Sequence, residues 1–133
     1  MTYKQTVIIT LNNFTKNFNK MKEFMMIFWS EPSQEQPSPE EIQASVKQWQ
    51  DWIGGIAAQG KFSSTNALDY EGKTVDSKGL VTDGPYAEVK EIVGGYMIVK
   101  ADSVDEALKL ADGCPVFHYG GKVEVRSLMV FDS

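Results

Sequence analysis

The sequence has one cysteine, Cys114, and one histidine, His118. A lone cysteine excludes an internal disulfide, and a lone histidine leaves no Cys/His set at zinc-ligand spacing, so neither a metal nor a cofactor is expected. Basic residues are also in deficit: 13 Lys and Arg stand against 18 Asp and Glu, a formal net charge of −5. Nonspecific nucleic-acid binding rests on neutralising phosphates, and these basic residues are scattered rather than clustered, so a nucleic-acid partner is not expected. No apolar run approaches the roughly 18 to 20 residues of a membrane span. The apolar patch at residues 7–11 is too short and too rich in threonine for a signal peptide, and Asn and Lys follow it. These absences together point to a reducing cytoplasm and to no membrane partner.

What remains is an ordinary globular composition, 42% hydrophobic and 23% charged over 133 residues, enough for one domain with a real core. Residues 1–20 differ from the rest. Asn12, Asn13, Asn17 and Asn19 with Lys16 and Lys20 make a biased polar segment. It reads either as an extension preceding Met21 or as an added edge strand in which Val7, Ile9 and Leu11 share a face. The main domain then spans residues 21–133. It opens with the apolar run Phe24-Met25-Met26-Ile27-Phe28-Trp29.

Ser38-Pro39-Glu40-Glu41 is a strong helix start: Ser38 caps, Pro39 suits the first helical position, and Glu41 closes a capping box. Ile42, Val46, Trp49, Ile53, Ile56 and Ala57 recur at helical spacing, and Gly60 ends the run. Gly54-Gly55 inside this helix costs about 2 kcal/mol relative to two alanines, which predicts a close approach of helix to sheet. A weak strand at 61–70, a turn at Glu71-Gly72-Lys73, a return at 73–76 and a second turn at Ser77-Lys78-Gly79 predict a hairpin insertion. Gly94-Gly95 opens the buried-strand run 96–99. Ser103-Val104-Asp105-Glu106 is a second capping box, and the helix it starts stops at Asp112-Gly113 before Pro115. Residues 122–130 alternate, with Val123 and Val125 on one face and Glu124, Arg126 and Leu128 on the other. The order is an α+β, ferredoxin-like split βαβ with a hairpin insertion. Two helices cover one sheet face only, yet the strands are apolar on both, which predicts a homodimer closing the sheets face to face into an α+β barrel.

The motif Asp83-Gly84-Pro85-Tyr86, followed by Ala87-Glu88-Val89-Lys90-Glu91 and Gly94-Gly95-Tyr96, resembles the YCII-related proteins, and within them the branch named for an Asp-Gly-Pro-Phe motif (DGPF). Asp105-Glu106-Ala107, Cys114-Pro115 and Val123-Glu124-Val125-Arg126 fit the same resemblance, which covers about residues 21 to 130. It implies a dimeric α+β barrel. It also implies candidate small-molecule enzymes using a His and an Asp, and an association with sigma-factor genes. The family's first-helix His has no counterpart: its place falls near Trp49, so the His-dependent chemistry does not carry over.

The candidate catalytic residues are Asp83 and His118. Asp83 reads as a general base or as an Asx-turn residue before Gly84-Pro85. His118, with its ordinary pKa near neutrality, reads as a proton carrier or as an exposed loop residue. Candidate ligand-binding residues are Tyr86, Glu88, Lys90, Tyr96 and Arg126. Glu88 and Lys90 read as a loop-holding pair or as a solvated charge run. Tyr86 and Tyr96 read as pocket hydroxyls or as amphipathic packing, and Arg126 as a partner for Glu124 or for an anionic ligand. Cys114, after a helix C-terminus, reads as a small buried hydrophobe.

The expected function is binding of a small polar or anionic organic ligand by a homodimer, in a pocket at the sheet face near the Asp83 loop. A small-molecule enzyme with Asp83 as acid/base and an accessory protein in sigma-factor regulation are the alternatives. The composition break generates one test. A chain starting at Met21 is expected to fold and dimerise with an unchanged melting temperature, whereas a large drop would make residues 6–11 an integral strand.

Overall fold

A computed structural model describes residues 21–32, 36–84 and 91–131. The segment 1–20 lies outside them, and with it the choice between extension and edge strand. The described elements run β1 (Lys22–Ser30), α1 (Pro39–Ala58), β2 (Phe62–Ala67), β3 (Lys73–Val75), β4 (Val81–Asp83), β5 (Ile92–Ala101), α2 (Val104–Leu110), a 3₁₀ turn (Pro115–Tyr119) and β6 (Lys122–Ser127). Four strands make one sheet in the order β2-β5-β1-β6, with every neighbouring pair antiparallel. The fold is α+β, and this strand order is consistent with a ferredoxin-like sheet.

Both helix starts form as their sequences dictate. The Ser38 side chain accepts from the Glu41 N–H at 3.1 Å and the Ser103 side chain from the Glu106 N–H at 3.2 Å. Each bond satisfies a donor that the first helical turn leaves without a partner. β1 alternates as a strand with two faces. Phe24, Met26 and Phe28 are buried, while Met25, Ile27 and Trp29 between them are half-buried on the other side. On β5, Met97, Val99 and Ala101 join the buried face, and Ile56, Ala107, Leu110 and Val116 close over it. Burying each of the larger of these side chains contributes about 1.5–3 kcal/mol.

Three rings fasten α1 to the sheet. Phe28 meets Trp49 edge to face at 5.1 Å and Trp52 at 5.9 Å, and the two tryptophans meet each other at 5.7 Å. The Trp52 indole N–H also reaches the carbonyls of Leu110 (3.2 Å) and Asp112 (3.1 Å), so one side chain ties α1 to the end of α2.

Two expectations are corrected. The turn at residues 71–73 does not fold β2 back on β3; β2 pairs with β5, and the hairpin is β3–β4. Its turn is built on Asp76, whose carboxylate accepts from the N–H groups of Lys78 and Leu80, both at 2.9 Å, with Gly79 at φ +83°. The Gly54-Gly55 pair serves no helix-to-sheet approach: both are exposed, and a Cβ at either would meet nothing within 4 Å. His118 is exposed, as a residue of the connection before the last strand, in a 3₁₀ turn that Pro115 opens and left-handed Gly120 closes. β6 forms the edge of the sheet beside β1.

A true close approach occurs at Gly95. Its Cβ would sit 2.8 Å from the Asn66 carbonyl oxygen, against backbone that cannot swing away, whereas a Cβ at Gly94 would meet only the Ser30 hydroxyl at 3.8 Å. Gly95→Ala is therefore expected to destabilise the chain by about 1–3 kcal/mol and Gly94→Ala by less than about 1, on the cost of overpacking. Urea unfolding checks this; equal effects would show that β2 yields freely.

Candidate functional site

The apolar stripe of α1 is engaged unequally. Ile56, near its C-terminal end, is 3% exposed, but Ile42 and Val46, in its N-terminal half, are each 49% exposed. The aromatic anchor sits at Trp49 and Trp52, so the helix is held to the sheet from its middle onward. Below the unanchored half lies a cleft of about 660 Å³. Val46, Trp49 and Ile53 form its helix wall, Phe28 and Val116 its apolar floor, and Gly94-Gly95 a stretch of floor with no side chain. Two further clefts are smaller. One of about 400 Å³ runs between α1 and α2 along Gly55 and Glu106, and one of about 360 Å³ lies beneath the β3–β4 ribbon.

Polar groups enter the large cleft at its rim. The hydroxyls of Tyr119 and Ser45 share a hydrogen bond there, linking the 3₁₀ turn to α1. Thr65, on the β2 side, donates its hydroxyl to the Tyr96 carbonyl at 2.8 Å. Among the described lining residues Glu31 is the one charged group, and it is exposed. The site is thus mostly apolar, with a few placed hydroxyls, the usual make-up of a small-molecule pocket.

The expected site residues take different positions. Tyr86, Glu88 and Lys90 lie outside the described residues. Asp83 ends β4, where its side chain is 91% exposed and stands 3.6 Å from the Lys73 ammonium, its cross-strand partner. Tyr96 and Arg126 share the sheet face away from the helices, with β1 between their strands. The Tyr96 hydroxyl accepts from the Asn66 amide at 3.0 Å. Arg126 Nε lies 4.0 Å from Glu124 Oε2, the outer limit of an ion pair, and its side chain is 70% exposed. An exposed pair of that kind contributes little to stability. The other oxygen of Glu124 accepts from the Trp29 indole at 2.9 Å, and Lys122 lies over the Trp29 ring while pairing with Glu91 at 2.8 Å. This face therefore carries a charge-balanced network beside half-buried Met25, Ile27 and Ile98. His118 sits outside the cleft, its Nδ1 3.4 Å from the Gln48 side-chain oxygen. The single chain does not bring Asp83, His118, Tyr96 and Arg126 to one place.

The cleft residues were legible only in part. Val46, Trp49 and Ile53 share the helical stripe, but that stripe predicts core, and nothing local marks which end of it stands clear. Tyr119 carried no signal of its own. The Gly94-Gly95 pair was read only as the opening of the 96–99 strand, although glycine inside a strand is also a signal of close backbone approach.

A family model for the YCII-related domain matches residues 22–132. The chain belongs to the YCII-related domain family. The match begins at the first residue of β1 and takes in every described element of the fold. No curated protein matches the chain. Among the described residues of this YCII-related domain, no helix is long and apolar enough to cross a membrane.

Cys114 packs in the core beneath α2, where burial pushes its thiol up to about 11 despite a backbone hydrogen bond from Val116 that works the other way. A raised thiol pKa keeps the nucleophilic thiolate scarce at pH 8. Native protein is expected to react with a disulfide reagent at least about a hundredfold more slowly than the unfolded chain, since both thiolate fraction and access fall. The sign for stability follows: the neutral thiol favours the folded state fully below about pH 9, and this contribution is lost as pH rises through about 11. Comparable native and unfolded labelling rates would place Cys114 at the surface.

Proposed function

We propose that this YCII-related domain binds a small organic molecule in the cleft beneath the N-terminal half of α1, and does so as a homodimer joined through the sheet face that its helices leave uncovered. The cleft carries the reading: it is the size of a ligand site, apolar in its depth, hydroxyl-bearing at its rim, and floored by bare backbone at Gly94-Gly95. The dimer is supported by the apolar side chains Met25, Ile27 and Ile98 on a face that no described element covers. Closing two such faces would make the barrel that the resemblance implies, and the Asp83-Gly84-Pro85-Tyr86 motif supports the DGPF branch. The site proposed from the motif residues, with Tyr96 and Arg126 on this second face, depends on the partner to enclose it. The enzyme reading has less support. Asp83 faces water beside Lys73 and is not itself among the residues lining the cleft beneath the β3–β4 ribbon.

Val46 supplies the test, because it forms the cleft wall yet stays half exposed. Val46→Glu is expected to leave stability within about 0.5 kcal/mol, as surface substitutions do. The same change should weaken binding of the uncharged fluorescent probe N-phenyl-1-naphthylamine by at least about tenfold, through a buried carboxylate. Light scattering should return about twice the 14.9 kDa chain mass for both proteins. A probe that binds the variant unchanged would remove the cleft as the site, and a monomer would remove the dimer.

A further inference from the structure

We infer that the cleft selects a neutral, largely apolar molecule carrying one hydroxyl or carbonyl group, and that the Tyr119–Ser45 pair reads that group. The inference rests on the ligand-binding reading above and narrows it. It also departs from the anionic ligand that the motif residues suggested.

Three features carry it. The first is the charge at the site. Glu31 is the one charged residue among the described lining residues, and no described lysine or arginine faces the cavity. Described lysines on the surrounding elements are paired elsewhere: Lys47 with Asp51, Lys122 with Glu91 and Lys73 with Asp83. A carboxylate entering this cleft would lose hydration with no cation among the described residues to receive it. The second is the make-up of the wall. Phe28, Val46, Trp49, Ile53 and Val116 present ring and aliphatic surface, which suits a flat or branched apolar body. The third is the paired hydroxyl at the rim. In the Tyr119–Ser45 hydrogen bond one hydroxyl donates to the other. The accepting hydroxyl keeps its own proton to donate, and both oxygens retain acceptor capacity. Such a pair answers either an alcohol or a carbonyl. An ammonium is served less well. Glu31 is exposed and screened by water, too weak a partner to offset stripping an amine of its hydration.

The test compares 2-naphthol, 2-naphthoate, 2-naphthylmethylamine and 2-methylnaphthalene as competitors for bound N-phenyl-1-naphthylamine on the full-length chain. Naphthol is expected to displace the probe at least about tenfold more effectively than the carboxylate or the amine, on the desolvation cost of a charge. It should exceed methylnaphthalene by about three- to tenfold, the worth of one hydrogen bond. Tyr119→Phe should lower the naphthol-to-methylnaphthalene ratio towards one, with each competitor read against the variant's own probe affinity. Naphthoate or the amine binding as tightly as naphthol would overturn the charge selection, and an unchanged ratio in Tyr119→Phe would overturn the role of the hydroxyl pair. Either failure leaves the cleft standing. Absence of probe binding to the unaltered chain would instead remove the cleft reading itself, and this inference with it.

Discussion

The contact on which the rest of the structure depends is the edge-to-face cluster of Phe28, Trp49 and Trp52. Each ring pair adds about 0.5–1.5 kcal/mol beyond its buried area, and the three pairs share one small volume. The cluster sets the distance between α1 and β1. Through the Trp52 indole it also sets the position of α2, because two carbonyls at the end of that helix are satisfied by the same N–H. A helix with Gly54-Gly55 in its C-terminal half is a poor helix on propensity alone. It holds its place by packing, and the packing is concentrated at these rings.

The cleft is the other side of that arrangement. A helix fastened at its middle and C-terminal end, with its N-terminal turn capped by Ser38 and otherwise loosely engaged, leaves space between its first apolar residues and the sheet. Bare backbone at Gly94-Gly95 deepens the space, since a side chain on Gly95 would also force β2 outward. The rim closes where the 3₁₀ turn brings Tyr119 against Ser45. Anchor, glycine floor and rim come from α1, β5 and the segment before β6, so the site is a property of the assembled fold rather than of any one motif.

Much of the fold was legible because its signals are local. Ser38 and Ser103 each cap the helix they precede, and the alternation of residues 24–29 and 122–127 sorts side chains onto two sheet faces as the pleat requires. The partner of β2 was not legible. Phe62-Ser63-Ser64-Thr65-Asn66-Ala67 is mostly polar, and its place beside β5 is decided by tertiary pairing and the bare edge at Gly95. The same limit applies to the site. Asp83 and Arg126 drew attention as charged residues in a motif and mid-strand, but charge alone does not show whether a side chain faces a cavity or water. Ile42 and Val46 looked like core because periodicity records which face a residue occupies and not how far that face stands from its neighbour.

The pairing of β1 has a consequence for how the chain comes to be folded. β1 is made before every other described element, yet its partners are β5 and β6, and Phe24 finds its cross-strand neighbour in Ser127. Contacts of such wide sequence separation are slow to form, because loop-closure entropy is spent before any pairing is gained. During synthesis a strand apolar on both faces must therefore wait for β5, and then β6, to appear. Early exposure of Phe24, Met26 and Phe28 makes this interval the period of greatest aggregation hazard. Assembly of the sheet is in effect held back until β6 has been made, and the last described strand completes the first.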